Sequence, residues 1–323
     1  MSLYITDILT KVKAALASRY VFDNWFSLLI KYALTRLGFN VKLVARVGNC
    51  TLELSPEVFE RFVGRFSRGL FKSIERVNGR LFINGVEVDS INDLIYNVGT
   101  WAKVLGWVYD SVNKYWFKNN VKLKQIHNAV FYVFDYGDYE PLNVKGKIVI
   151  DVGAFVGDSA VYFALKGAKM VLAIEPHPGA FAEMLDNIKL NNLEDVIISI
   201  NAGLASRPGK ICIENIGVEA TGGTYHRPGD CPNAVPAVTL GELINRFNID
   251  PNDAVLKMDC EGCEYDVILN DYEHVRLFRE LILEYHPKHV NKPVGDLLNV
   301  LSRDYKCEMK GNNNQGIMHC IRK

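Results

Sequence analysis

Residues 147–175 read KIVIDVGAFVGDSAVYFALKGAKMVLAIE: an apolar run, a glycine-punctuated turn, an amphipathic segment, and a second apolar run that ends in a carboxylate. Ile148 to Val152 has the β-branched density of a strand buried on both faces. Gly153 and Gly157 fall where the backbone must turn sharply and let a ligand approach closely. Ser159 to Lys166 reads as a helix whose first free N–H groups lie beside that turn. The second strand, Met170 to Ile174, ends at Glu175, 22 residues after Gly153. At about that distance α/β nucleotide-binding folds place an acid for ribose hydroxyls, and a carboxylate fits a diol because it accepts two hydrogen bonds. The stretch therefore predicts a βαβ unit with a nucleoside-cofactor site.

Two cofactor classes compete for it. Dinucleotide binders use G-x-G-x-x-G, but two residues after Gly153 stands Phe155, whose side chain would crowd a pyrophosphate lying on the backbone. Acids at Asp151 and Glu175 would also repel a pyrophosphate, whereas they suit a methionine ammonium and a ribose diol. NAD(P) and FAD are disfavoured. The spacing D-x-G-x-x-x-G from Asp151 resembles the first motif of the class I S-adenosylmethionine-dependent methyltransferases.

Further along, Lys257-Met258-Asp259-Cys260-Glu261-Gly262-Cys263-Glu264 resembles the K-x-D-x-E-G-x-E signature of the FkbM methyltransferases. Other pieces follow that family's order over about residues 130–290: DVGAFVGDS at 151–159, EPHP at 175–178, Asn187 and Asn191, Thr239-Leu240, and Leu283-Glu284-Tyr285-His286. The resemblance implies S-adenosyl-L-methionine as cofactor. Its contacts are expected from Asp151, Gly153, Ala154, Phe155, Gly157, Asp158 and Ser159, from Glu175 and Pro176, from Asn201 and Gly203, and from Asp259. Phe155 stands where the family usually has Asn, so contacts from that loop would rest on backbone groups.

The chain has 323 residues, 49% hydrophobic and 23% charged, enough for one large core or two smaller ones. The division expected is a smaller α+β accessory or substrate domain over 1–130 and a catalytic domain over 131–323. Lys+Arg and Asp+Glu both number 37, so net charge points to neither nucleic acid nor membrane. The charge is nevertheless uneven: residues 1–145 carry 19 basic and 13 acidic side chains, residues 146–323 carry 18 and 24. Met1 to Ala15 has no signal-peptide pattern, and Trp25 to Phe39 is too short and too charged to span a bilayer. Seven cysteines, an odd and scattered set, do not read as a secreted disulfide framework, and the expected location is the cytoplasm. Cys260 and Cys263 form a C-x-x-C expected to fill small buried positions; the alternatives are a disulfide between them, which would strain the turn, and a zinc site, which would have to recruit Cys231, His226 or His286, and no metal set is assigned.

Strands expected at 147–152, 170–175, 196–201, 254–258 and 280–284 alternate with helices near 158–166, 178–191, 239–248, 263 onward and 294–302. The fold class is thus α/β, a doubly wound, mostly parallel Rossmann-like sheet, with strands near 304–309 and 316–321 closing it as a hairpin. Arg207-Pro208-Gly209 marks a turn between two short strands. Gly217 to Ala237, rich in glycine and proline, reads as a long loop that lids the substrate. In the N-terminal region Asn84-Gly85 signals a β-hairpin. Glu57 to Arg76 reads as a helix with a basic stripe at Arg61, Arg65, Arg68, Lys72 and Arg76.

No D/N-P-P-F/Y follows the strand 254–258 and no Pro-Cys is placed for attack on cytosine. Asp259, Glu261 and Glu264, with Glu284 and His286 on a neighbouring strand, offer paired carboxylates beside a histidine. The resemblance implies O-methylation of a sugar, glycan, lipid or other small-molecule hydroxyl, with Asp259 or His286 as base and Glu261 orienting the acceptor. The alternatives are an RNA methyltransferase using the basic N-terminal region and a non-catalytic cofactor-binding subunit; the oligomeric state is open.

Overall fold

A computed structural model describes residues 19, 22–48, 50–67, 70 and 72–323, without the side chains of 64–67. The residues group into two compact units, Met1–Lys118 and Asn119–Lys323. The division falls at 118/119, whereas the sequence places it near 130. Met1 to Ala15 lies outside the described residues.

In the first unit helix α1 (Trp25–Arg36) precedes strands β1 (Leu43–Val47) and β2 (Cys50–Leu54), helix α2 (Pro56–Ser67) and strands β3 (Ile74–Val77), β4 (Arg80–Ile83) and β5 (Val86–Val88). Helices α3 (Ile91–Tyr96) and α4 (Val98–Val104) and strands β6 (Val108–Asp110) and β7 (Tyr115–Lys118) complete it. Asn84 and Gly85 take positive φ of 51° and 78° and join β4 to β5 in the expected hairpin. The helix expected over 57–76 is shorter: α2 ends at Ser67, and Ile74 and Arg76 belong to β3, paired with Ile83 and Leu81. Asn78-Gly79, at φ 50° and 80°, is a second hairpin turn that overrides the helical spacing. The basic stripe is therefore broken, since Arg76 is on a strand; Arg68 and the side chain of Arg65 lie outside the described residues. No helix among the described residues is long and apolar enough to cross a membrane.

The second unit runs β8 (Val121–Leu123), α5 (Asn128–Phe134), β9 (Ile148–Val152), α6 (Asp158–Leu165), β10 (Met170–Ile174), α7 (Pro178–Leu190) and β11 (Ile197–Ile200). Strands β12 (Gly203–Leu204) and β13 (Gly209–Cys212), helix α8 (Val218–Thr221), strand β14 (Ala234–Val238) and helix α9 (Leu240–Arg246) follow. The chain ends with β15 (Ala254–Met258), α10 (Cys263–Asn270), α11 (Tyr272–Val275), β16 (Glu280–Tyr285), α12 (Pro287–Val290), α13 (Val294–Leu301), β17 (Tyr305–Asn312) and β18 (Gln315–Arg322). A seven-stranded sheet has the order β11-β10-β9-β15-β16-β18-β17. It is parallel up to β16, and β18 and β17 run antiparallel. Ile150, Val152, Leu172 and Ile174 pack with Leu243, Tyr265 and Leu297 in one core. The alternate residues Val149, Val171 and Ala173 are equally buried, so both sheet faces are covered, as a doubly wound fold requires.

Two expectations change. The short strands β12 and β13 do not pair with each other; β14 lies between them, parallel to β12 and antiparallel to β13. Pro236 hides β14 from a sequence reading, yet it sits beyond the two-residue pairing with β12 and leaves that ladder intact. The cysteines also differ: six of the seven pair, as Cys212–Cys231, Cys260–Cys263 and Cys307–Cys320, with Cα separations of 5.7, 5.4 and 4.0 Å, and Cys50 is free and buried. Cys307 and Cys320 face each other across β17 and β18, a register that spacing alone does not give.

Candidate active site

A cavity of about 310 Å³ opens at the carboxyl ends of β9, β10, β15 and β16, where such sheets bind ligands. Of the residues expected there, Gly153, Phe155, Asp158, Ser159, Glu175, Pro176, Gly203, Asp259 and Glu261 border it. Asp151, Ala154, Gly157, Asn201 and His286 do not, and each has another task.

Asp151 lies inside β9 with no exposed surface, opposite Lys257 of β15. Its Oδ1 is 2.9 Å from Lys257 Nζ, and its Oδ2 accepts from Ser159 Oγ at 2.7 Å. Both oxygens are thus committed within the protein. Lys257 Nζ also donates to the carbonyls of Val152 (3.2 Å) and Gly153 (2.7 Å), and so clamps the turn that follows β9. The Ala154 N–H donates to Ile174 O, joining the same turn to β10. Gly157, at φ 82°, sits against Met184, which a Cβ would meet at 2.8 Å. Gly153, at φ 72°, sits against the Asp259 carbonyl, where a Cβ would come within 1.8 Å. Its glycine is required by the approach of two strand ends, before any ligand is considered. Asn201 donates to the carbonyls of Glu175 and Pro176 and holds the end of β10 in place.

Glu175 is 5% exposed and stands on the cavity wall. Oε2 accepts from the Phe155 N–H (2.9 Å) and Oε1 from the His177 N–H (2.8 Å). Burial pushes its carboxyl up to about 8 against those two backbone bonds. Phe155 takes a positive φ of 48°, which aims its N–H at Glu175. Burial also pushes Asp158, at the start of α6, up to about 6.

Asp259, Glu261 and Glu284 also line the cavity. Tyr139 Oη donates to Asp259 Oδ2 at 2.7 Å, and Gln315 Nε2 to Glu284 Oε1 at 2.6 Å. Burial pushes Glu261 up to about 8. His286 sits behind them at 5% exposure, with Nε2 3.3 Å from Glu261 and 3.6 Å from Glu284, and Nδ1 3.4 Å from Glu264. Burial opposes its charge, but Glu264, Glu284, Asp259 and Glu261 outweigh it and push the imidazole up to about 11. Held protonated in this way, the ring would have to lose its proton before it could serve as a base.

Cys260 and Cys263 bracket Glu261 and Gly262 at φ 58° and 137°, and their disulfide fixes that turn; bonded to each other, they do not form half of a zinc site. The long loop is also built up. Thr221 Oγ1 meets His226 Nε2 at 2.7 Å, Cys231 is tied to Cys212, and Glu219, Thr221, Gly222, Thr224 and His226 border the cavity. Glu219 Oε2 lies 2.5 Å from His127 Nδ1, and Glu183 Oε1 2.9 Å from His127 Nε2.

Sequence reasoning assigned no role to Lys257, Tyr139, His127 or Gln315. Lys257 opens the K-x-D-x-E-G-x-E pattern and is a charge inside the apolar run AVLKM; the other three lie in segments without a motif.

The sequence profile described as the Methyltransferase FkbM domain matches residues 151–307. A tRNA(Phe) (4-demethylwyosine(37)-C(7)) aminocarboxypropyltransferase of Pyrococcus horikoshii is 28% identical over 140 residues, 39% of this chain and 49% of that protein. Uncharacterized protein 158B of Sulfolobus islandicus rod-shaped virus 1 is 26% identical over 148 residues, 46% of this chain and 66% of that protein. The chain thus spans about half to two thirds of the length of these relatives. Among solved structures, the methyltransferase FkbM from Methylobacillus flagellatus KT is 14% identical, with 58% of this chain and 46% of that one covered and a TM-score of 0.39. The magnesium protoporphyrin IX methyltransferase of Synechocystis PCC 6803 with bound SAM is 15% identical, with 60% and 78% covered and a TM-score of 0.37. Residues 151–307 of this chain are an FkbM methyltransferase domain.

Proposed function

We propose that the cavity binds S-adenosylmethionine and that the domain transfers its methyl group to a hydroxyl of a sugar, glycan, lipid or other small molecule. The observation that carries the reading is Glu175: a carboxyl group at the end of β10, oriented by two backbone N–H groups and lining the cavity, is placed for a ribose diol. Asp158 borders the cavity and would meet the methionine ammonium, the role expected of Asp151, which Lys257 occupies instead. The cofactor supplies an electrophilic methyl on a sulfonium. The protein aligns the acceptor oxygen with the S–CH3 bond and takes its proton. As the new O–C bond forms, the C–S bond breaks with its electron pair left on sulfur. Glu261, whose carboxyl burial pushes up to about 8, would receive the hydroxyl proton in its deprotonated form, and Asp259 would orient the acceptor.

Calorimetric titration with S-adenosylmethionine and S-adenosylhomocysteine tests the reading. Binding is expected for the native chain and lost in Glu175→Ala; absence of binding to the native chain would sink it. The name of the Pyrococcus relative supports a second reading, transfer of an aminocarboxypropyl group to RNA, with the N-terminal unit as an accessory domain that presents the acceptor. Both groups are substituents of the same sulfonium, so the spent cofactor tells them apart: S-adenosylhomocysteine after methyl transfer, methylthioadenosine after aminocarboxypropyl transfer. The cytoplasmic location expected from the sequence then requires an interior in which disulfides persist, as in hyperthermophiles.

A further inference from the structure

We propose that Asp259, Glu284 and His286 form a divalent-cation site at the acceptor end of the cavity, where the cation would hold the acceptor oxygen. The inference rests on the transferase reading above and names what binds the acceptor. One ligand atom from each of the three residues can be chosen so that all lie within 4.8 Å of one another, a separation that one ion bridges.

The second observation is His286 itself. It is 5% exposed, and its ring nitrogens stand 3.3–3.6 Å from the carboxylates of Glu261, Glu264 and Glu284 without a hydrogen bond of good geometry to any of them. A buried polar atom left in this state calls for an explanation, and an ion is one of the few available. The ring is aimed for that purpose. Nδ1 faces Glu264, whose two oxygens are fixed by the backbone N–H groups of His286 (3.0 Å) and Gly262 (2.9 Å). Nε2 faces the carboxylate cluster. A carboxylate behind one ring nitrogen and a metal before the other is the usual setting of a ligating histidine. The two acids are oriented in the same manner, Asp259 by Tyr139 and Glu284 by Gln315.

Charge leads to the same place. Asp259, Glu261, Glu264 and Glu284 surround one imidazole, and Lys257 is already committed to Asp151. Two carboxylates and one imidazole suit Mn²⁺, Fe²⁺ or Zn²⁺ better than Ca²⁺, and three protein ligands leave positions open for the acceptor. A hydroxyl bound there gives up its proton more readily, and Glu261 is beside it to take that proton.

The test titrates Mn²⁺ into the full chain, read by the paramagnetic resonance of free Mn²⁺ and by calorimetry, with S-adenosylhomocysteine affinity and thermal melting measured on the same samples. One Mn²⁺ per chain is expected, weakened at least about tenfold in Asp259→Asn, Glu284→Gln and His286→Ala. A cooperative thermal melt in each variant reports that it is folded. If the native chain binds S-adenosylhomocysteine but no Mn²⁺, or if Mn²⁺ binding is indifferent to all three substitutions, the cation site is overturned and the transferase reading stands. If one Mn²⁺ binds as described but S-adenosylhomocysteine does not, the cation site stands and the transferase reading fails.

Discussion

Lys257 is 1% exposed in the middle of β15 and directly opposite Asp151, so two charges are buried against each other between apolar neighbours. Such a pair adds little over an apolar replacement, but removing one member strands the other without water. Lys257→Met is therefore expected to lower stability by about 3–5 kcal/mol, read as a fall in the urea midpoint at unchanged slope. Adding Asp151→Leu should restore much of the loss, because it removes the stranded charge. The double variant also separates two roles of Asp151: a stable protein that still binds S-adenosylhomocysteine would leave Asp151 serving Lys257, whereas a stable protein that has lost binding would return it to the cofactor. The charge inside an apolar strand could be read in the sequence. Its partner could not, because register between strands far apart in the chain leaves no local trace.

The short helix α8, which lines the cavity with Glu219 and Thr221, is fastened through Glu219 to His127, the residue just before α5, whose other ring nitrogen meets Glu183. Burial opposes charge on His127, but its bonds to Glu183 and Glu219 prevail and push it up to about 9. The folded protein then holds a proton that an unfolded histidine, with its ordinary value near 6.5, gives up first, so stability falls as pH rises through that window. The contribution is fully present below about pH 6.5 and gone above about pH 9. It is modest on the Glu219 side, which is half exposed and screened. The difference in urea midpoint between the native chain and His127→Gln should be constant below about pH 6.5 and vanish near pH 10; a difference that grows with pH would mean the ring is not charged. At this scale the parallel sheet could be read directly, because β-branched runs and glycine turns are local signals. The α8–β14 segment and the early end of α2 could not: a disulfide orders the first, and the Asn78-Gly79 turn overrides the helical spacing of the second.

Every residue that borders the cavity lies between His127 and Gln315, and the sheet and its main core fall within Asn119–Lys323. Where the catalytic unit begins is set by β8, which buries Val121 and Leu123 and whose backbone, with that of Lys124 after it, is held by two asparagines of the FkbM-like pattern. Asn191 accepts from the Lys122 N–H at 2.9 Å and donates to the Lys122 carbonyl at 2.6 Å, and Asn187 accepts from the Lys124 N–H at 2.7 Å. Asn187 also donates to Val156 O in the turn after β9, so β8 and the cofactor loop share one side chain. A fragment of residues 119–323 is expected to fold cooperatively and to bind S-adenosylhomocysteine as the full chain does. A fragment of 131–323 loses the three bonds to β8 and with them His127. At about 1 kcal/mol each the bonds alone account for about 3 kcal/mol, or roughly 6–12 °C in melting temperature for a unit of this size. Scanning calorimetry of the two fragments measures the difference. Equal melting of both would make β8 an appendage and return the boundary to residue 130; failure of 119–323 alone would make the first unit part of what keeps the second folded.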